Sequence, residues 1–170
     1  MTLDEQNAFL SAEYAEAMRY MDDAKKMLQK AGDWGDGLYK KRKYVKIAGG
    51  MAYLAFLLAV DAWLVINGAL LPGKKKKMSL DFYEPKVAKI DENMVKYHNN
   101  AHCLLYFTCY RGGIQRMTIV DACFDEAYYI IEKIRPENPI DTPETRGDRA
   151  LRVWNRFVIS LSVMLMRKPY

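Results

Sequence analysis

Apolar side chains return along this chain at alternating steps of three and four, the period of a helix with one buried face. Leu10, Tyr14, Ala17, Met21, Ala24, Leu28 and Ala31 make the first seam, on an otherwise charged stretch. Thr2 and Glu5, in T-L-D-E, have the spacing of a capping box at its start. Gly32 and the loop D-W-G-D-G close it, which predicts a helix over 3–31. A second helix is expected over 38–70, ended by Pro72-Gly73. Asp81, Glu84 and Pro85 read as the start of a third, over 84–110, with Val87, Ile90, Met94, Tyr97, Ala101, Leu104 and Thr108 inward. Gly112-Gly113 either divides it from a fourth helix over 114–134 or kinks one continuous helix. Met117, Val120, Phe124, Ala127, Ile131 and Ile134 seam the fourth. The loop R-P-E-N-P-I-D-T-P-E-T precedes a fifth over 143–167, capped by Thr142 with Pro143 next. No stretch alternates as a strand does, and no repeat of fixed period occurs.

The second helix differs in kind. Its run GGMAYLAFLLAVDAWLVINGALL has only Asp61 and Asn67 as strongly polar side chains. A helix apolar on every side is either the centre of a bundle or a membrane span. Asp61 would cost roughly 3 kcal/mol at the middle of a bilayer. Basic clusters, Lys40–Lys43 and Lys74–Lys77, flank both ends, so charge gives no orientation. The amphipathic helices also need something to pack on. The expectation is therefore an all-α, up-and-down helical bundle of about five helices, one domain over 1–170, with no membrane contact. Apolar surface left over on the second or fifth helix would be covered by a homo-oligomer or a helical protein partner.

Composition changes this picture little. The chain has 170 residues, 51% of them hydrophobic, and a net charge of +5. That supports one sizeable core and leans only modestly toward anionic partners. Cys103, Cys109 and Cys123 are odd in number, lack C-x-x-C spacing and fall in apolar helical patterns. They read as buried free thiols in a reducing, cytoplasmic setting. The N-terminus lacks the basic-then-apolar build of a signal peptide.

Candidate chemistry is sparse. His98 and His102 share a helix face and could chelate a metal, though no second ligand pair is evident and no metal set is assigned. The alternative is a face with two hydrogen-bonded histidines. Asp61 is either half of a structural polar pair with a tyrosine, histidine or arginine, or a ligand-orienting carboxylate in an inter-helical pocket, with Tyr97, His98 and His102 as the other candidate ligand-binding residues. Arg146, Arg149, Arg152 and Arg156 line one side of the fifth helix, as a solvated face or as a surface for RNA or a nucleotide. Phosphate-loop, dinucleotide and nucleophile-elbow patterns are missing. Neither catalytic residues nor a cofactor are assigned.

The stretch EYAEAMRYMDDAKKMLQKAGDWGDGLYKKRKYVKIAGGMAYLAFLLAVDAWLVINGA resembles HEPN-type helical bundles. The likeness lies in an acid- and alanine-rich first helix, a Gly/Asp loop and a Tyr/Ala-rich second helix. The chain as a whole also resembles an uncharacterised family of small bacterial helical proteins. The resemblance implies a four- or five-helix bundle, often dimeric, serving as an RNase, as a nucleotidyltransferase partner or as a binding module. RNase members carry Arg, four to six residues, then His on a late helix. His98 and His102 lack such an arginine, so binding is what the resemblance leaves.

Overall fold

A computed structural model describes residues 1–71 and 80–136. The described chain is all-α, a helical bundle without strands. The first helix, α1 (Leu3–Ala31), opens on the expected box: Glu5 N donates to Thr2 Oγ1 and Thr2 N to Glu5 Oε2. Ala17, Met21, Ala24 and Ala31 of its seam are fully buried, and Leu10, Tyr14 and Leu28 half-buried. The apolar helix, α2 (Arg42–Ile66), is the spine of the bundle. Against it pack α1, the column formed by residues 80–112, and the last described helix, α5 (Met117–Glu132). By length and composition α2 could cross a membrane, but 67% of its most apolar window is buried in the bundle.

The second helix starts four residues later than its pattern suggests. The backbone before it has other partners. Tyr39 N donates to Gln115 O at 2.8 Å, Met117 N to Gly37 O at 2.9 Å and Lys40 N to Gly32 O at 2.9 Å. Leu38 and Arg116 form an isolated antiparallel bridge. The loop after α1 is thus stitched to the loop before α5, and its amides are spent there. At the other end Gly68, with φ 71°, stops the helix short of Leu70.

The expected third helix is three pieces. The first, α3 (Leu80–Ile90), begins ahead of Glu84, so Pro85 lies inside it and not in the opening turn. Asp91 breaks the helix: its carboxylate accepts from Asn93 N at 2.9 Å and Met94 N at 3.3 Å, making it the N-cap of α4 (Glu92–Ala101). Residues His102–Gly112 then wind as a π-helix. Each of these changes rotates the buried face, so His98, His102, Leu105 and Cys109 join Val87, Met94, Ala101 and Leu104 in the core, while Ile90, Tyr97 and Thr108 of the expected seam are only half-buried. Gly113, left-handed at φ 61°, ends the π-helix, so the glycine pair divides and does not kink. Of the three thiols, Cys109 and Cys123 are buried, but Cys103 is exposed.

The column α3–α4–π-helix runs antiparallel to α2, as paired positions show. Arg42 bonds the Gly112 carbonyl, Gly49 faces Cys109, Tyr53 meets His102, Phe56 meets His98 and Asp61 meets Tyr83. The closest of these contacts is backbone on backbone. A Cβ at Gly49 would stand 2.6 Å from Cys109 Cβ, 2.7 Å from Tyr110 N and 2.8 Å from Cys109 C. At Gly50 it would meet only the Tyr110 ring, 3.1 Å away. Replacing glycine by alanine inside a helix gains up to about 1 kcal/mol of helix propensity. Overpacking against immobile atoms costs about 1–3 kcal/mol. Gly49→Ala is expected to lower the denaturation midpoint, and Gly50→Ala to leave it nearly unchanged, in parallel urea titrations.

Candidate functional site

Buried polar groups gather where α2 faces the column. Asp61 lies deep in the most apolar helix and accepts a hydrogen bond from Tyr83 Oη at 3.0 Å. Its partner across the bundle is thus a tyrosine, one of the three anticipated types. Burial, and then the Asp61 charge and hydrogen bond, hold the Tyr83 phenol far above its ordinary range. The Tyr83 ring stands 5.7 Å from that of His98, which also touches Phe56 at 5.4 Å. One turn on, His102 Nδ1 lies 2.9 Å from the Tyr53 hydroxyl, and its ring stacks on Tyr106. Burial pushes Tyr53 up to about 12, with the Tyr106 phenol adding to it, so its proton stays in place.

Burial drives both imidazoles down, so they are neutral at pH 7. His98 Nδ1 lies 3.1 Å from Asn99 Oδ1, an acceptor, which assigns the proton to Nδ1 and leaves Nε2 bare. That nitrogen is buried and has no hydrogen-bond partner among the described residues. Asp61, Tyr83 and His98 are therefore one cluster, and His102 with Tyr53 and Tyr106 is the next layer. Tyr97 stands apart: its ring packs 4.4 Å from Tyr129 of α5. Arg146, Arg149, Arg152 and Arg156 lie outside the described residues. Among the described residues no three His, Cys, Asp or Glu groups stand close enough to share a metal ion. The arrangement can order hydrogen bonds inside an aromatic core.

A family model described as a domain of unknown function, DUF5618, matches residues 12–136. The chain belongs to this family. The DUF5618 match takes in the spine and the whole column, hence every member of the buried cluster. A solved structure titled a protein of unknown function from Dyadobacter fermentans is similar to the chain: 28% identical, with a TM-score of 0.61. The likeness covers 74% of this chain and 94% of that one. No curated protein matches. The DUF5618 description and the neighbour's title support an uncharacterised family, and neither names a HEPN bundle.

One charged residue of this DUF5618 domain escaped the pattern reading. Glu126 of α5 is as buried as the core isoleucines, and neither carboxylate oxygen has a hydrogen-bond partner among the described residues. Its spacing held the signal, for it falls between Cys123 and Ile130 on the buried stripe. Burial, reinforced by the neighbouring Asp125 charge, raises its carboxyl from 4.5 to about 7. The folded state therefore holds a proton that the unfolded chain releases near pH 4.5. This stabilisation is full below that pH and lost as pH rises through about 7, a change on the order of 3 kcal/mol. Glu126→Gln keeps the neutral shape without the titration. It is expected to melt above the wild type at pH 8 and to match it near pH 4.5, in thermal melts across that range.

Proposed function

We propose that the DUF5618 domain is a cytoplasmic interaction module that works by pairing with a second copy of itself, and not by catalysis. One observation carries this reading: an apolar stripe on α2 that the described bundle leaves open. Ile47 and Leu54 are 43% and 39% exposed, and Met51 and Leu58 are half-buried. These positions recur at steps of four, three and four, the seam of a helix pair. Single exposed hydrophobics are ordinary; this set is contiguous. Gly50 sits one turn from both Ile47 and Leu54, and the exposed Tyr110 lies over it. Tyr110 and Phe107, which is 51% exposed, flank Tyr106 and extend the patch onto the π-helix.

A second copy fits this surface better than a charged partner. From Ile47 to Val60 α2 carries no charged residue, so nothing there selects an acidic or basic ligand. A twofold axis across Gly50 and Met51 would set Leu54 of one copy against Ile47 of the other, the self-complementary pairing that closed dimers use. The other readings draw less support. Arginine recognition of RNA by the last helix rests on residues outside the described set. A metal enzyme at His98 and His102 lacks a third ligand among the described residues.

Sedimentation velocity over a wide concentration range tests the proposal. The wild type is expected to sediment as a dimer that dissociates on dilution. Leu54→Glu and Phe107→Glu, both at exposed positions, are expected to be monomers with unchanged circular dichroism. A wild type monomeric at every concentration, or dimers untouched by both substitutions, would overturn it.

A further inference from the structure

The stitched loops bring distant basic segments to one end of the bundle. Lys40, Lys41, Arg42 and Lys43 lead into α2, and Arg111 and Arg116 flank the end of the π-helix. The Arg42 guanidinium donates to Gly112 O, and Leu38 bridges to Arg116, so the two segments form one surface. All six side chains are exposed. None makes an ion pair among the described residues, whereas Arg19, Lys26 and Arg135 each pair within their own turn. Lys41 and Lys43 lie over the Tyr44 ring, which holds their charges near the surface. Charges left uncompensated in this way make an attractive field for a polyanion.

The same end displays an aromatic platform. Trp34 is 65% exposed, the most exposed aromatic among the described large hydrophobics. It is not on a loose loop. Trp34 N donates to Leu38 O at 3.0 Å, Asp33 bridges to Tyr39, and the Asp33 carboxylate accepts from Gly35 N at 2.7 Å. An indole exposed at the same end of the bundle as these cations offers a base somewhere to stack while phosphates follow the charge.

We propose that this end of the bundle binds single-stranded nucleic acid, with Lys41, Lys43 and Arg111 on the phosphates and Trp34 stacked on a base. Asp33 and Asp36 beside the indole favour this partner over an anionic membrane. A carboxylate next to the inserting ring repels headgroups, but it accepts hydrogen bonds from base amino groups. The basic end borders the apolar stripe where Lys43 stands one turn from Ile47 and Arg111 follows Tyr110, but it shares none of the stripe's residues, so the proposal does not rest on self-pairing.

Fluorescence anisotropy of a labelled single-stranded RNA oligonucleotide with the full chain tests this. Log affinity is expected to fall linearly with log salt concentration. Lys41→Gln with Lys43→Gln is expected to weaken binding about tenfold and to make that slope shallower by about 1.4 for two lost phosphate contacts. Trp34→Ala is expected to weaken the single strand and to leave the slope unchanged, because stacking releases no counterions. A matched duplex should bind less tightly than the single strand. Affinity untouched by these substitutions but lost on replacing Arg149, Arg152 and Arg156 would overturn the assignment. So would binding to anionic lipid vesicles with none to RNA.

Discussion

Everything in this bundle follows from how closely α2 lets the π-helix approach. Without side chains at Gly49 and Gly50, the backbone at Cys109 and the Tyr110 ring rest directly on the spine. The antiparallel pairing is then set along its whole length. Each later contact is the next rung: Tyr53 with His102, Phe56 with His98, Asp61 with Tyr83. A one-residue slip would swing Asp61 away from Tyr83 and break that buried hydrogen bond, at a cost of about 1–3 kcal/mol. The polar rungs therefore act as register marks as much as sources of stability.

The same ladder sorts the molecule's surfaces. Committing one side of α2 to the column and another to α1 leaves the strip around Ile47 and Leu54 uncovered. The Arg42–Gly112 rung at the end of the ladder draws the cations of two loops together. The apolar patch and the basic end are thus separate products of one packing decision. Buried His98 and Glu126 add the unfavourable side. His98 Nε2 and both Glu126 carboxylate oxygens have no hydrogen-bond partner among the described residues, and burial shifts each group toward its neutral form, the imidazole downward and the carboxyl up to about 7.

Much of this was legible in the residues because helical periodicity is a local property. The Thr2–Glu5 box, the α1 seam, the apolar run of α2 and the α5 seam all stand where the three-four spacing puts them. The division of residues 80–112 was less legible. Asp91 reads as one more polar residue in a helix until its side chain is seen capping the next one. The π-helix has no sequence signature, since His102 to Tyr110 keep ordinary helical spacing, yet it decides which of those side chains turn inward. Asp61 was conspicuous as a charge in an apolar run. Glu126 was not, because α5 is rich in acidic residues, and only its place between Cys123 and Ile130 on the buried stripe sets it apart from Asp125. The basic end of the bundle joins residues some seventy positions apart, and it takes backbone pairing between two loops to bring them together.

Native-state hydrogen exchange on the intact chain tests the spine-and-column account most directly. Amides of α2 from Gly49 to Val65 and those of the π-helix are predicted to exchange together, at the free energy of global unfolding. A π-helix that opens on its own, well below that free energy while α2 stays protected, would show that the glycine contact does not hold the fold and would contradict the account.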